Sequence, residues 1–332
     1  MSRPPQPLPP ELGVVFTWGE ARRAGVGSRR LLGADVERVF GGVYRRRDRL
    51  SRQPRGLHRL GVSAWEHRVL AESVGRYLPK NHFFSGRTAA AIWELPISLK
   101  PEDSLEVATF APRRASEDQR LAARTVRPHL ARVVLRKGIR VTDPATTWAM
   151  LAPTLSFEGG VALGDAVIRR PRIPGTQRLK REPHAQLAEL EAAANAARRP
   201  GSVLLRRMLP LLVTQSASAP ETHLRLRLNE WGAPTPVLDH DVFDDHGLLL
   251  GCSEFAYPEL RLALEYEGAH HLTEFAQWNR DIEKYQHYAQ AGWESLRVTG
   301  ELLYSRRDAL RRQIFEAIER RSRQFGLSRA GP

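Results

Sequence analysis

The chain has 332 residues, of which 42% are hydrophobic, and a single cysteine, Cys252. This length predicts two or three domains with substantial cores, and the one cysteine excludes an intrachain disulfide framework and a cysteine-rich zinc site. No signal peptide is apparent, and no apolar run reaches the roughly 18 residues of a membrane span, so we expect a cytoplasmic protein without a membrane partner.

The net charge of +14 favours a polyanionic partner, and nucleic acid is the commonest one. Between Thr214 and Gly300 fourteen acidic residues stand against six basic ones, a local balance of −8 that leaves +22 for the rest of the chain. General arginine richness would explain the basic part without any function. It does not explain the acidic stretch.

The first predicted element is a short helix from Phe16 to Val26. Thr17 and Glu20, three positions apart, have the spacing of a capping box, and Gly25 suits the helix end. A second helix is expected from Ser28 onward.

Two short strands follow, Val36–Phe40 and Val43–Arg47, around the glycine turn at residues 41–42. Helix, turn, helix and an arginine-bearing hairpin form a winged helix-turn-helix pattern, predicted for residues 1–55. In such a domain the hairpin lies against phosphates while the second helix enters a major groove. The expected DNA-binding residues are Arg29, Arg30, Arg45, Arg46 and Arg47. Any small helical domain with an arginine-rich surface would give a similar pattern.

A mixed α/β middle domain is predicted for residues 56–168. Its strands include Leu105–Phe110 and Val133–Leu135, and a capped helix is expected over Thr142–Leu151. No catalytic constellation lies here, so a scaffold or interaction role is expected. Residues 169–183 have a basic, proline- and glycine-rich linker composition, and two helices complete a linking region over residues 169–215.

The last predicted domain, residues 216–325, opens with a helix in which Pro220 and Glu221 occupy the first turn. A lone glutamate there is usually only a partner of the helix dipole. A β-hairpin then turns at Pro258 and Glu259.

Glu254 lies on the first strand of this hairpin, and Glu265 and Glu267 lie on one face of the second. Three carboxylates so close would repel one another, and a divalent cation between them would relieve that cost. Oxygen-only ligands suit Mg²⁺ or Mn²⁺, which can activate water against a phosphodiester.

His270 and His271 directly follow the second strand and are candidates for proton transfer or for steadying the leaving oxygen. A helix to Gln290 and a final strand over Glu294–Val298 complete the domain. Each candidate alone is more often ordinary polar surface. Their order and spacing together favour a catalytic site.

These motifs together resemble the Vsr-like group of restriction-endonuclease-fold domains, relatives of the very-short-patch repair endonuclease with a PD-(D/E)XK-type fold. The resemblance covers about 80 residues. Its motifs are a Ser-x-x-Glu-Thr helix, Asp-x-x-x-Pro, Glu-x-Asp-Gly-x-x-His, Trp-x-x-Asp and a closing Gly-Trp-x-Val-x-Arg strand. Here they correspond to Ser218–Thr222, Glu254–Pro258, Glu265–His271, Trp278–Asp281 and Gly292–Arg297.

The resemblance implies a metal site formed by Glu254, Glu265 and Glu267 and supported by Glu221, with Trp278 and Asp281 supporting the fold nearby. The sequence departs from the family pattern in having glutamate at 254 and 267, where the family has aspartate. Each exchange moves the carboxylate outward by one methylene. No Glu-x-Lys is present, because Glu267 occupies the position of that lysine.

The first half resembles the AbiEi-type antitoxin or regulator family. The similarity lies in Ala24–Val26 through Gly42–Tyr44 and in Val141–Thr147. It implies DNA binding, with autoregulation and a toxin-like partner as further expectations.

We therefore expect a multidomain α/β (α+β) protein with two candidate functions. The first is a Mg²⁺-dependent endonuclease acting on double-stranded DNA. The alternative is a non-catalytic DNA-binding regulator of antitoxin type whose nuclease fold has lost its chemistry. The sequence leaves open whether RNA is the substrate.

Overall fold

The computed structural model describes residues 7–47, 59–268 and 275–327, with only the backbone described for 59–61 and 275–281. The chain divides into two compact units. Unit 1 comprises Met1–Met150 and Ala196–Arg199, and unit 2 comprises Leu151–Asn195 and Pro200–Pro332. The mixed α/β class predicted from the sequence is confirmed.

Unit 1 begins with a small antiparallel sheet in the order β1-β3-β2. Its elements are β1 (Val15–Thr17), α1 (Trp18–Arg23), a 3₁₀ turn (Ser28–Leu32), β2 (Val36–Phe40) and β3 (Val43–Arg46). The predicted capping box is confirmed: the Glu20 amide donates to Thr17 Oγ1, and Thr17 N donates back to the Glu20 carboxylate. The expected second helix is this single 3₁₀ turn.

The larger sheet of unit 1 has the order β6-β5-β4-β8-β7. Its pairs β5/β6 and β4/β8 are parallel, whereas β4/β5 and β7/β8 are antiparallel. The elements are α2 (Arg59–Val74), β4 (His82–Phe84), α3 (Gly86–Ile92), β5 (Leu105–Phe110), β6 (Leu121–Val126), β7 (Val133–Arg136), β8 (Ile139–Thr142) and α4 (Pro144–Leu151). Buried Phe84, Ile92, Val107 and Val141 belong to its core.

Unit 2 begins with four helices: α5 (Phe157–Ile168), α6 (Leu187–Asn195), α7 (Ser202–Met208) and α8 (Ala219–Glu230). Asp165, buried on α5, accepts hydrogen bonds from Val213 N at 2.8 Å, Thr222 Oγ1 at 2.7 Å and Arg225 at 2.9 Å. A buried carboxylate needs such partners, and these fix α8 against α5. Residues 157–168, which the sequence assigns to the middle domain, thus pack within unit 2.

The second part of unit 2 is a four-stranded sheet in the order β12-β11-β10-β9. Its elements are β9 (Val237–Phe243), β10 (Leu249–Tyr257), β11 (Leu262–Glu267), α9 (Phe275–Gln290), β12 (Glu294–Thr299), α10 (Gly300–Tyr304) and α11 (Arg307–Gln324). Strands β9, β10 and β11 are antiparallel neighbours, and β12 runs parallel to β11.

The two faces of this sheet are covered by different helices. Leu224 of α8 and Ile314 of α11 pack with Leu264 on one face, while Tyr288 of α9 packs with Val242 and Ala263 on the other. Because side chains alternate along β11, Glu265 and Glu267 share the face of Ala263 and point toward α9.

The predicted β10–β11 hairpin is confirmed, with Phe255 opposite Leu264 and a 3₁₀ turn over Pro258–Leu260. Arg321 of α11 fixes this end of the sheet by donating to the carbonyls of Leu260 at 2.7 Å and Gly292 at 2.6 Å. Among the described residues, no helix is long and apolar enough to cross a membrane.

Candidate functional site

The candidate site lies where strands β10 and β11 stop pairing. The last recorded cross-strand pair is Phe255 with Leu264, and beyond it the Glu254 carboxylate accepts a hydrogen bond from Tyr266 N at 2.7 Å. The Glu254 side chain thus accepts a hydrogen bond from a backbone N–H that would otherwise have paired across the two strands. Glu254 is held by the backbone of β11, next to Glu265.

Glu265 is only 4% exposed and faces Lys284 of α9. Lys284 Nζ lies 3.0 Å from Glu265 Oε1. Contacts with Lys284 and Ser253 favour the charged form of this carboxylate and oppose the effect of its burial.

Glu221 enters from the first turn of α8, where the Ser218 hydroxyl caps the helix by accepting from Glu221 N at 3.3 Å. The Glu221 carboxylate accepts from Ala217 N at 2.7 Å, and the side chain is buried. The dipole and capping role expected for a lone glutamate is therefore present. A small cavity lined by Glu221, Arg225 and Glu254 shows that Glu221 and Glu254 also face the same space.

Burial and neighbouring charge raise the pKa values of the three carboxyl groups. Burial, together with the charges of Glu221 and Glu265, raises the pKa of Glu254 to about 9. Burial is the main cause of the raised pKa of Glu221, and the charge of Glu265 adds to it. Burial likewise raises the pKa of Glu265 despite the opposing Lys284. Such mutually perturbed acids in one place are typical of functional sites.

Glu267 lies at the edge of this cluster. Its Oε1 accepts hydrogen bonds from Arg297 Nε at 2.6 Å and from the Tyr285 hydroxyl at 3.0 Å. Burial, with added contributions from the charges of Glu265 and Glu267, raises the pKa of Tyr285. Tyr285 therefore stands between Glu267 and the buried cluster, and Glu267 is already neutralised by Arg297.

The donor chemistry of the cluster fits a hard divalent cation. Its oxygens all come from carboxylates, the ligands that Mg²⁺ and Mn²⁺ prefer, and Glu254, whose pKa is raised by burial and by two neighbouring carboxylates, is a position where a cation would remove a cost. Within the described residues, no three His, Cys, Asp or Glu side chains already stand at ligand spacing. Binding would thus require the glutamates to change rotamer.

Four further site predictions fall in the least described part of the chain. His270 and His271 lie outside the described residues, as do the side chains of Trp278 and Asp281. The backbone at 278 and 281 belongs to α9, which also carries Lys284 and therefore faces the carboxylates.

The predicted DNA-binding arginines all lie in unit 1. Arg30 pairs with Asp35 at 2.5 Å, and Arg45 pairs with Glu37 at 2.6 Å. Arg46 is buried, at 5% exposure. Arg29 and Arg47 are exposed, and Arg47 Nε lies 3.8 Å from the Glu37 carboxylate.

Sequence reasoning missed Lys284, Tyr285 and Arg297, the side chains that contact the predicted glutamates. A weak signal was present: Lys284 and Tyr288 are one helical turn apart and so share a face of α9. Because Tyr288 is buried, that face is the one turned toward the sheet. Lysine is so often solvent-exposed that the spacing alone does not reveal it.

Comparison with known proteins yields sequence relatives but no family or fold match. No protein-family model and no solved structure matches the chain. The uncharacterized proteins Rv2248 of Mycobacterium tuberculosis strain H37Rv and MT2308 of strain CDC 1551 are each 32% identical to it over 164 residues. The match covers 49% of this chain and 56% of each relative, so the chain spans little more than half the length of these relatives.

Proposed function

We propose that unit 2 is a metal-dependent nuclease that hydrolyses phosphodiester bonds in DNA. The observation that carries this proposal is that Glu221, Glu254 and Glu265 come from three different elements into one electrostatic environment, in which Glu254 feels the charges of the other two. Lys284 contacts Glu265 and Arg169 opposes the charge of Glu221, yet the pKa values of all three carboxyl groups remain raised. A divalent cation would offset the remaining repulsion.

In this proposal Glu254 and Glu265 hold Mg²⁺ or Mn²⁺, and Glu221 supports them. A cation bound there would polarise a phosphodiester and lower the pKa of a water ligand. Lys284, which is 20% exposed, is placed to stabilise negative charge on the reacting phosphate. Because Arg297 and Tyr285 already occupy a Glu267 oxygen, we assign Glu267 to positioning Tyr285 rather than to binding metal.

The order of the elements supports the Vsr-like resemblance. That resemblance implies a helix bearing a glutamate, a hairpin bearing the acidic ligands, a second helix and a closing strand. Unit 2 has α8, the β10–β11 hairpin, α9 and β12 in this order. In this proposal Lys284 of α9, which contacts Glu265, takes the role of the lysine that is missing at position 267.

DNA as the substrate class is supported by the charge of unit 1. Residues 1–150 contain 27 Lys and Arg against 14 Asp and Glu, and Arg29 and Arg47 are exposed. A basic accessory unit raises the local concentration of a polyanion near an acidic site that would otherwise repel it. We therefore assign unit 1 to DNA binding.

The test is a nicking assay on supercoiled plasmid in Mg²⁺, Mn²⁺ or chelator. Wild type is compared with Glu265→Gln and with Glu259→Gln, an exposed glutamate in the hairpin turn that serves as the matched control. We expect metal-dependent nicking by wild type and Glu259→Gln, and at least a hundred-fold loss in Glu265→Gln.

Intact duplex binding without cleavage of any DNA or RNA substrate would refute the nuclease and favour the regulator with a silent nuclease fold. Cleavage of RNA alone would keep the chemistry but refute the substrate class. Equal activity of the two variants would refute the assignment of the site.

A further inference from the structure

A basic segment lies next to the carboxylates in unit 2. Residues 169–181 contain six Lys and Arg and no Asp or Glu; we call this segment the basic hairpin. It folds back on itself, with a bridge between Arg172 and Leu179 and a turn at Gly175, whose φ is +74°. Lys180 N donates to the Pro171 carbonyl at 2.7 Å. Residues 169–181 therefore form an ordered hairpin, although their composition is that of a linker.

Arg172 attaches the basic hairpin to the edge strand β9. Its Nε donates to the Asp239 carboxylate at 2.8 Å, and the same guanidinium contacts Asp241. Gly175 lies so close to Leu249 that an added Cβ would come within 2.9 Å of it. One of the six cations is thus used for structure, and the hairpin has a fixed position on the sheet.

Four other cations, Arg170, Arg178, Lys180 and Arg181, are exposed. Among the described residues none of them forms an ion pair with a carboxylate, although Arg181 contacts His184. Attachment to β9 needs only Arg172. Four exposed cations that no described carboxylate neutralises give this short hairpin a positive potential, which attracts a polyanion.

The root of the basic hairpin adjoins the candidate site. Arg169 donates to the Ala217 carbonyl at 3.3 Å, while Ala217 N donates to the Glu221 carboxylate at 2.7 Å. The charge of Arg169 also opposes the raised pKa of Glu221. A single residue therefore separates the carboxylate cluster from the start of the cationic surface.

We infer that the basic hairpin binds the sugar-phosphate backbone of the nucleic acid whose reacting phosphate lies at the carboxylates. The inference rests on the proposed function, and it gives unit 2 an attractive surface of its own beside the acidic site, in addition to unit 1. Phosphate contacts of this kind position a strand without reading its sequence, which the guanidinium and ammonium donors at 170, 178, 180 and 181 suit.

Binding of the full chain to a labelled duplex in chelator, from 50 to 300 mM KCl, tests the inference without requiring cleavage. The hairpin variant carries glutamine at Arg170, Arg178, Lys180 and Arg181. The charge-matched control carries glutamine at four exposed arginines of α11 without recorded ion pairs: Arg307, Arg311, Arg312 and Arg323. Unit 1 is identical in both, so the difference between them isolates the hairpin.

Each phosphate contact contributes about 0.9 to the slope of log Kd against log salt. We therefore expect the slope of the hairpin variant to fall by roughly 2 to 4, with the control close to wild type. An equal decrease of the slope in both variants would show that only net charge matters, and it would overturn the inference. An unchanged slope in the hairpin variant would overturn it as well.

A direct readout comes from a photoreactive benzophenone attached at Gln177→Cys in the hairpin turn, with Gln313→Cys on α11 as the control. Both positions are exposed, and the raised pKa of the partly buried Cys252 thiol disfavours its labelling. Crosslinking to DNA from 177 but not from 313 supports the inference, and the reverse overturns it. If the labelled Gln177→Cys protein crosslinks to DNA but the wild type cleaves no substrate, the inferred binding surface is supported and the proposed nuclease activity is refuted.

Discussion

Glu254→Gln should make the folded protein more stable while it abolishes activity. The pKa of Glu254 rises from 4.5 to about 9 on folding because of burial and the neighbouring carboxylates. At pH 7 the unfolded chain carries an ionised glutamate, whereas the folded chain holds a proton there. Over the 2.5 units from 4.5 to 7, at 1.36 kcal/mol per unit, this costs at most roughly 3.4 kcal/mol.

The sign follows from the direction of the shift. A folded pKa above the unfolded value gives a contribution that is fully present below pH 4.5 and is lost as the pH rises toward 9. Glutamine is neutral at every pH and keeps an oxygen to accept from Tyr266 N. Glu254→Gln should therefore remove this part of the decline in stability with rising pH.

The assay is urea unfolding followed by tryptophan fluorescence at pH 5, 7 and 8.5 in chelator. Glu259→Gln, exposed in the same hairpin, is the control and should stay within about 0.5 kcal/mol of wild type. A Glu254→Gln variant that is less stable than wild type at pH 7, or that keeps the same pH dependence, would refute the reasoning. It would mean that the carboxylate is structurally satisfied and that the site has no need of a cation.

Two further predictions concern the scaffold. Burial lowers the pKa of His67 from 6.5 to about 4. The contribution of His67 to the free energy of unfolding is therefore present above pH 6.5 and is lost as the pH falls toward 4, by up to about 3 kcal/mol. His67→Gln should flatten that part of the acid unfolding profile, and an unchanged profile would contradict this prediction. Arg172→Ala removes the cation between Asp239 and Asp241 and should cost roughly 2 to 3 kcal/mol while exposing the basic hairpin to trypsin; Arg178→Ala, solvent-exposed, should do neither, and equal effects would show that Arg172 does not attach the hairpin.

The parts of the fold that sequence reasoning predicted are those with local chemical signals. The capping box of Thr17 and Glu20 and the hairpin turn at Pro258 depend on residues within four positions of one another. Strand β9 carried no such signal. Its residues pair with β10 across a loop, and its Asp239 and Asp241 are satisfied by Arg172, 67 and 69 positions away.

Helix α5 was missed for a related reason. It contains adjacent glycines, which disfavour helix in isolation. In the structure Gly160 lies so close to Met208 that an added Cβ would come within 2.5 Å of the Met208 methyl carbon. Tertiary packing therefore requires a residue that local propensity rejects.

Sequence reasoning likewise predicted one part of the candidate site and missed the part that depends on tertiary contacts. The sequence predicted Glu254, Glu265 and Glu267 as ligands, and the family resemblance added Glu221 in support. In the structure Glu221, Glu254 and Glu265 share one electrostatic environment, whereas Glu267 is paired with Arg297. Lys284 could not be predicted, because its contact with Glu265 exists only once α9 has folded over the sheet. The basic segment was recognised by composition, but its attachment to β9 required the structure.

The electrostatics of the three carboxylates also bear on the choice between a nuclease and a silent nuclease fold. Glu265 has Lys284 at 3.0 Å, and Glu221 has its helix cap and the opposing charge of Arg169. Glu254 has one backbone donor and a more distant lysine, and its pKa is raised to about 9.

A regulator that had lost its chemistry would gain stability from almost any neutral residue of similar size at position 254. The fold does not need this charge, since glutamine can accept from the same backbone donor. A carboxylate that burial and two neighbouring carboxylates destabilise, at a position where the fold needs no charge, is the arrangement expected where binding a cation compensates for the cost. The exposed cations of the basic hairpin add the positive potential that a nuclease needs beside an acidic site. On the proposed function, a metal-bound phosphodiester backbone would contact both surfaces of unit 2, whereas a regulator without chemistry would need only the basic one.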